Sequence, residues 1–187
     1  MIIDFHTHMF PDKIAARTID FLSKTGGDMN PFTDGTWKGL KESTKQAGID
    51  HSIVLPIATR PGQFHTINEF ATHFQEGTLI SFGSLHPESE NYKEELRQIQ
   101  DMGMKGIKLH PDYQDTYFND IRYKRIISYA TELGLIISVH AGQDPKCPDN
   151  IHCTPAMAEE VLNEVEPEKL VLAQMGGNEL WSEVEER

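Results

Sequence analysis

Two histidines two residues apart, His6 and His8, close the short apolar run that begins the chain, Met1-Ile2-Ile3-Asp4-Phe5. Residues i and i+2 of a β-strand share a face, so this spacing sets two imidazoles side by side where a strand would end. Such a pair is half of a transition-metal site; the plainer alternative is two surface histidines near a terminus. A third histidine, His140, ends the apolar run Leu135–Val139 and is followed by Ala141-Gly142, small residues that leave room for a ligand. Alone it would read as a histidine hydrogen-bonded at a strand end. With His6 and His8 at equivalent depth, it is expected as the third ligand of a divalent metal, zinc first. Three protein ligands and an open position make a catalytic site, in which the metal lowers the pKa of bound water and polarises a carbonyl.

Lys108 and His110 share a parity on another apolar run, Lys105–His110, so both are expected to face the interior or mouth of the fold. Lys108 could hold a substrate carboxylate or, with two metals, become a carbamylated bridging ligand. The alternative is a lysine that reaches solvent or pairs with Asp112 or Asp115. His86-Pro87 repeats the ending but has no positioned partner, and His51, His65 and His73 are expected at the surface. Cys147, His152 and Cys153 fall in one Pro-rich loop whose spacing matches no strong zinc pattern; that loop is expected to lie over the pocket. A metal-bound water also needs a general base, and no carboxylate stands at the end of any of these runs. On this reading the base is missing.

Six short, continuous apolar runs carry these groups: 1–8, 52–57, 78–83, 105–110, 135–140 and 169–174. Between them lie helical patterns at 13–24, 37–47, 64–75, 88–102, 120–133 and 154–165, several closed by glycine, and a further helix is expected to begin in 178–187. Thr154-Pro155 is a capping residue followed by a first-turn proline. Residues 25–35 form a loop rich in Gly, Asn, Asp and Pro. Strands alternating with helices, and buried on both faces, specify a parallel sheet covered by helices. Ligand-type residues gathered at the C-terminal strand ends favour a (β/α)8 TIM-type barrel. The absence of G-x-G-x-x-G after the first strand weighs against a dinucleotide fold.

A closed barrel has eight strands in about 250 residues. The 187 residues here are therefore expected to form one domain, 1–187, covering about six of eight strand-helix units and lacking the last two. Open edges predict self-association. The net charge of −12 argues against nucleic acid or an anionic membrane as partner and leaves a small-molecule substrate. Two cysteines are too few for a disulfide scaffold, no run approaches transmembrane length, and the N-terminus lacks signal-peptide features. A cytoplasmic setting is the expectation.

Four segments in order, Asp4-Phe5-His6-Thr7-His8, Lys105–Pro111, Val139-His140-Ala141-Gly142 and Leu172–Gly177, resemble the amidohydrolase superfamily. Within it, the segments most resemble the branch of amidohydrolase-related metal-dependent hydrolases, which includes aminocarboxymuconate-semialdehyde decarboxylase. The resemblance implies a distorted (β/α)8 barrel with one or two divalent metals, His6 and His8 as first-strand ligands and His140 as the fifth-strand ligand. It also implies two departures. Gln174 stands where the family's sixth strand carries a histidine, and glutamine takes no proton at neutral pH. The family's eighth-strand aspartate has no counterpart in these residues. The expected activity is hydrolysis or decarboxylation of a small carbonyl or carboxylate substrate through a metal-activated water. Two alternatives stand beside it: a phosphoesterase of the polymerase-and-histidinol-phosphatase type, and a non-catalytic barrel fragment.

Overall fold

The computed structural model describes residues 1–26, 30–75 and 77–187. Part of the loop expected at 25–35, residues 27–29, lies outside them. The strands are β1 (Ile3–Thr7), β2 (His51–Val54), β3 (Leu79–Ser81), β4 (Gly83–Ser84), β5 (Gly106–Leu109), β6 (Ile136–Val139) and β7 (Leu170–Leu172). Every pairing is parallel, in the orders β1-β2-β3 and β4-β5-β6-β7. Parallel neighbours need crossover connections. These are supplied by α1 (Asp12–Thr25), α2 (Trp37–Gln46), α3 (Phe64–Ala71), α4 (Tyr92–Asp101), α5 (Ile121–Glu132) and α6 (Pro155–Val165), with α7 (Trp181–Glu185) after β7. The result is part of a (β/α) barrel. Among the described residues it does not close, and β1 and β7 are edge strands.

Six expected strands have become seven because the third is divided at Phe82. The buried amide of Asn68, on α3, is the cause. Its Nδ2 donates to Ser84 O at 2.8 Å and its Oδ1 accepts from Ser84 N at 2.9 Å, replacing ladder bonds with a side chain. Gly83 allows the approach, since a Cβ there would lie 2.9 Å from both Asn68 Oδ1 and Ile99 Cγ1. Phe82 N still reaches Val54 O at 2.9 Å, so the sheet curves through the break.

Two helices are shorter than their periodicity suggests. The pattern at 64–75 stops being helical after Ala71, and that at 88–102 begins only at Tyr92. The predicted cap at Thr154 forms, its side chain accepting from Met157 N. The main apolar cluster lies between β4–β6 and helices α4–α6, with Leu96, Ile99, Ile107, Ile126, Ile137 and Val161 fully buried. A smaller cluster joins Ile53, Leu55 and Phe82 to Phe5, Ile80 and Ile136. Side chains of strands that are not neighbours meet there, as the concave side of a curved sheet requires. That cluster floors the mouth formed by the strand ends.

Candidate metal centre

The first strand delivers its two histidines through an irregularity. The β1–β2 register shifts between Asp4 and Thr7, a bulge that re-aims side chains as bulges beside active sites do. His8 Nδ1 lies 2.8 Å from Leu55 O. A carbonyl only accepts, so Nδ1 carries the proton and Nε2 keeps its lone pair. That Nε2 is 3.2 Å from His6 Nε2. Two nitrogens each about 2.0–2.1 Å from one ion lie roughly 3 Å apart, so the pair already stands at a ligand spacing.

Both rings are held neutral, the form in which imidazole binds metal. Burial, then Lys108, then the other imidazole lower His6 to about 3. Burial and Lys108 lower His8 to about 4. His8 keeps an exposed edge, yet it sits in a concavity where protein atoms crowd the ring. The same two causes hold His140 at about 4. His140 Nε2 is buried without a hydrogen-bond partner.

Lys108 and His110 both point inward, as their parity requires. Lys108 is fully buried and its Nζ has no partner; burial pulls its pKa down to about 7. It neither reaches solvent nor pairs with Asp112 or Asp115. His110 stacks on His140 with ring centres 4.2 Å apart and on Tyr113 at 4.0 Å. Its pKa lies well below the ordinary value, first through burial and then through His140 and Lys108.

No carboxylate ends a strand, but two reach the mouth from the loops that follow. Asp112, three residues beyond β5, and Asp144, five beyond β6, are both buried there. Asp112 Oδ2 lies 3.8 Å from His140 Nε2, and Asp144 Oδ2 lies 3.9 Å from the same atom and 3.7 Å from His110 Nε2. Reading only strand ends missed them, because the chain turns back over the mouth before delivering each side chain. The signal available was an aspartate in each short loop after a strand-ending histidine, His110-Pro111-Asp112 and His140-Ala141-Gly142-Gln143-Asp144.

Among the described residues, the one group of three or more donors whose atoms all lie within 4.8 Å of one another is His110, His140 and Asp144. His6 and His8 form a separate pair close enough to influence these rings electrostatically. The loop of Cys147, His152 and Cys153 does not form a second metal site. Cys153 is buried in the main cluster, and His152 Nδ1 bonds Asp112 Oδ1 at 3.0 Å. His86 is buried with its Nδ1 accepting from Glu88 N at 3.3 Å, a strand-end turn. Gln174 lies just past β7 in a left-handed turn at φ 53°, its Oε1 3.4 Å from Ala141 N. Its amide supports the β6 loop.

The donor set therefore fits a divalent metal: neutral imidazoles, buried carboxylates and an orphaned His140 Nε2. A model of the amidohydrolase family matches residues 3–185. The chain belongs to that family. Membership sets aside the phosphoesterase alternative. No curated protein matches the chain.

Solved structures similar to this chain include a probable 2-pyrone-4,6-dicarboxylic acid hydrolase from Acinetobacter baumannii, with citric acid bound. It is 13% identical over 94% of this chain and 58% of its own, with a TM-score of 0.59. An uncharacterised TIM-barrel protein from Bordetella bronchiseptica is 16% identical over 91% of this chain and 66% of its own, at 0.63. A 2,6-dihydroxybenzoate decarboxylase in complex with 2,6-dihydroxybenzoate is 15% identical over 94% and 67%, at 0.66. Such identities speak for the fold, and the chain spans 58 to 67% of these neighbours' lengths.

Proposed function

We propose that the protein is a metal-dependent hydrolase or decarboxylase acting on a small carbonyl or carboxylate substrate, with His6, His8 and His140 as metal ligands and zinc as the metal. The observation that carries the reading is the orphaned, buried Nε2 of His140, at the mouth of an amidohydrolase barrel whose first strand sets two imidazole nitrogens 3.2 Å apart. A divalent ion bound there supplies Lewis acidity and a water acidified toward neutrality.

The chain's own groups divide the remaining work. The Nζ of Lys108, buried and unpartnered, is suited to a substrate carboxylate, because a buried cation without a partner is stabilised by an incoming anion. His110, flat between Tyr113 and His140, offers an edge nitrogen beside that anion. A carboxylate of Asp112 or Asp144 can accept a proton at the site, the base the strand ends lack. The other reading, a barrel that holds fold and metal without catalysis, rests on Gln174 in place of a histidine.

Metal content and turnover test this together. His6→Ala and His140→Ala should each lose bound zinc and activity on a panel of amides, lactones, aryl carboxylates and pyrone carboxylates, the last two suggested by the neighbours' names. Unchanged metal content in both variants would sink the reading. Zinc bound at full occupancy with no turnover across the panel would favour the non-catalytic alternative.

A further inference from the structure

One buried side chain grips the strand end that carries Lys108 and His110. The β4–β5 ladder stops at the Ser84–Lys108 pair, so the main-chain groups beyond it need other partners. Gln114, in the turn after β5, supplies them. Its N donates to His110 O at 3.0 Å, and its Oε1 accepts from His110 N at 3.0 Å. Both main-chain polar groups of His110 are thus held by one residue. The Nε2 of Gln114 donates to Ala58 O and to Leu85 O, each at 2.8 Å, and its Oε1 also accepts from the Tyr123 hydroxyl at 2.7 Å. These bonds use the whole capacity of the amide, which is buried.

Ser84 repeats the device one step back along the strands. Its hydroxyl donates to Lys108 O at 2.9 Å and accepts from Ala58 N at 2.9 Å. The main chain of Ser84 is itself fixed by the Asn68 amide. Segments following β2, β4 and β5 are therefore tied together by two side chains. The Nζ of Lys108 has no partner of its own, so its place depends on the main chain that carries it. None of these bonds goes to His6, His8 or His140.

We propose that Gln114, supported by Ser84, is a positioning residue that holds Lys108 and His110 where they meet a substrate's carboxylate. The inference rests on the role given to those two residues above. A binding group must be held within about 0.5 Å of its productive place by a rigid supporting shell. Gln114 meets that need because its amide has no bonding capacity left for a ligand and spends all of it on the scaffold. A purely structural residue would loosen the metal ligands and the carboxylate site together. Gln114 acts on β5 and its turn, whereas the ligands proposed above lie on β1 and just after β1 and β6.

The test is calorimetric binding of two carboxylates, benzoate and the 2,6-dihydroxybenzoate found in one structural neighbour, to zinc-loaded protein. Bound zinc is counted by elemental analysis. Gln114→Met keeps the side chain's length without its amide. It should weaken both carboxylates by about 10-fold while zinc stays at the wild-type level. Ser84→Ala should act in the same direction by less. In a Lys108→Met, His110→Ala background, Gln114→Met should add almost nothing, because residues that act as a unit are not additive. Val161→Ala, a core substitution on α6, should lower stability and leave carboxylate affinity unchanged. Wild-type affinity in Gln114→Met, with affinity lost in Lys108→Met, would overturn this inference and leave the role of Lys108 standing. Full additivity in the double background, or zinc lost along with the carboxylate, would overturn it too. Carboxylate affinity unchanged in both Lys108→Met and His110→Ala, or absent from the wild type, would overturn the role of those residues and this inference with it. If Gln114→Met fails to fold, Ser84→Ala decides: wild-type affinity there refutes the assignment.

Discussion

Around the mouth, the groups carried by β5 and β6 and their loops are sealed from water, whereas those carried by β1 stand at its margin. Lys108, His110, Asp112, His140 and Asp144 are all buried. His6 is half-buried and His8 exposed. The difference follows from sheet position. β5 is flanked by β4 and β6 and shares an apolar cluster with α4 and α5, while among the described residues β1 pairs on one side only. Identical side chains therefore carry different costs: an ionisable group on β5 must be matched inside the protein, and one on β1 can still draw on water.

Lys108 is where that cost is greatest. Its pKa falls from 10.5 to about 7 because burial penalises the charged form. Between those values the unfolded lysine holds a proton that the folded one has released. Stability of the metal-free protein should then rise with pH from about 7 to about 10.5, by up to roughly 5 kcal/mol. Below pH 7 both states are protonated and the contribution is flat. Lys108→Met removes the amine at similar volume and should erase this slope while stabilising the fold at neutral pH. It should also raise KM for a carboxylate substrate. Denaturant titrations of both proteins across pH 6 to 11, in chelator, would show it; parallel curves would mean that the lysine finds a partner on the buried side.

The same comparison explains what the sequence could and could not reveal. Strand-helix alternation and the ends of the apolar runs were legible because burial on both faces writes continuous apolar runs. So were Lys108 and His110 as inward residues, since strand parity is a local property. The division at Phe82 was not. It depends on the Asn68 amide reaching Ser84, a contact between elements that periodicity does not couple. The carboxylates were hidden for a similar reason. Asp112 and Asp144 are placed by loop turns, and Asp112 is oriented by His152, 40 residues away. A cysteine-histidine loop read only as cover also supplies Cys153 to the core and His152 to the site.

Apolar packing should follow the same division at smaller magnitude. Ile107, on β5, is fully buried in the main cluster, whereas Ile3, on β1, remains 46% exposed. Ile107→Ala should cost about 2–5 kcal/mol, through lost transfer energy and a cavity that well-packed neighbours cannot fill. Ile3→Ala should cost less than about 1 kcal/mol. Urea unfolding at constant pH measures both. Near-equal losses would show that β1 is covered in solution by something that buries it.

That last outcome bears on the edges themselves. β1 and β7 each present backbone donors and acceptors along one side with no partner among the described residues, and such rows recruit other strands. On β7, Leu170 and Leu172 pack against the main cluster, but Val171 does not. Its side chain shares the register row of Ser138 and Lys108, on the concave side of the sheet beside the open edge. A lysine at Val171 or at Ile3 puts a charge on the edge for a stability change of about 0.5 kcal/mol or less at Ile3. If the open edges drive association, the wild type should form larger species as concentration rises, and Ile3→Lys and Val171→Lys should each shift it toward monomer in light scattering. A monodisperse wild-type monomer at high concentration would break the link between edge position and association. The half-exposed state of His6 would then be a property of the single chain.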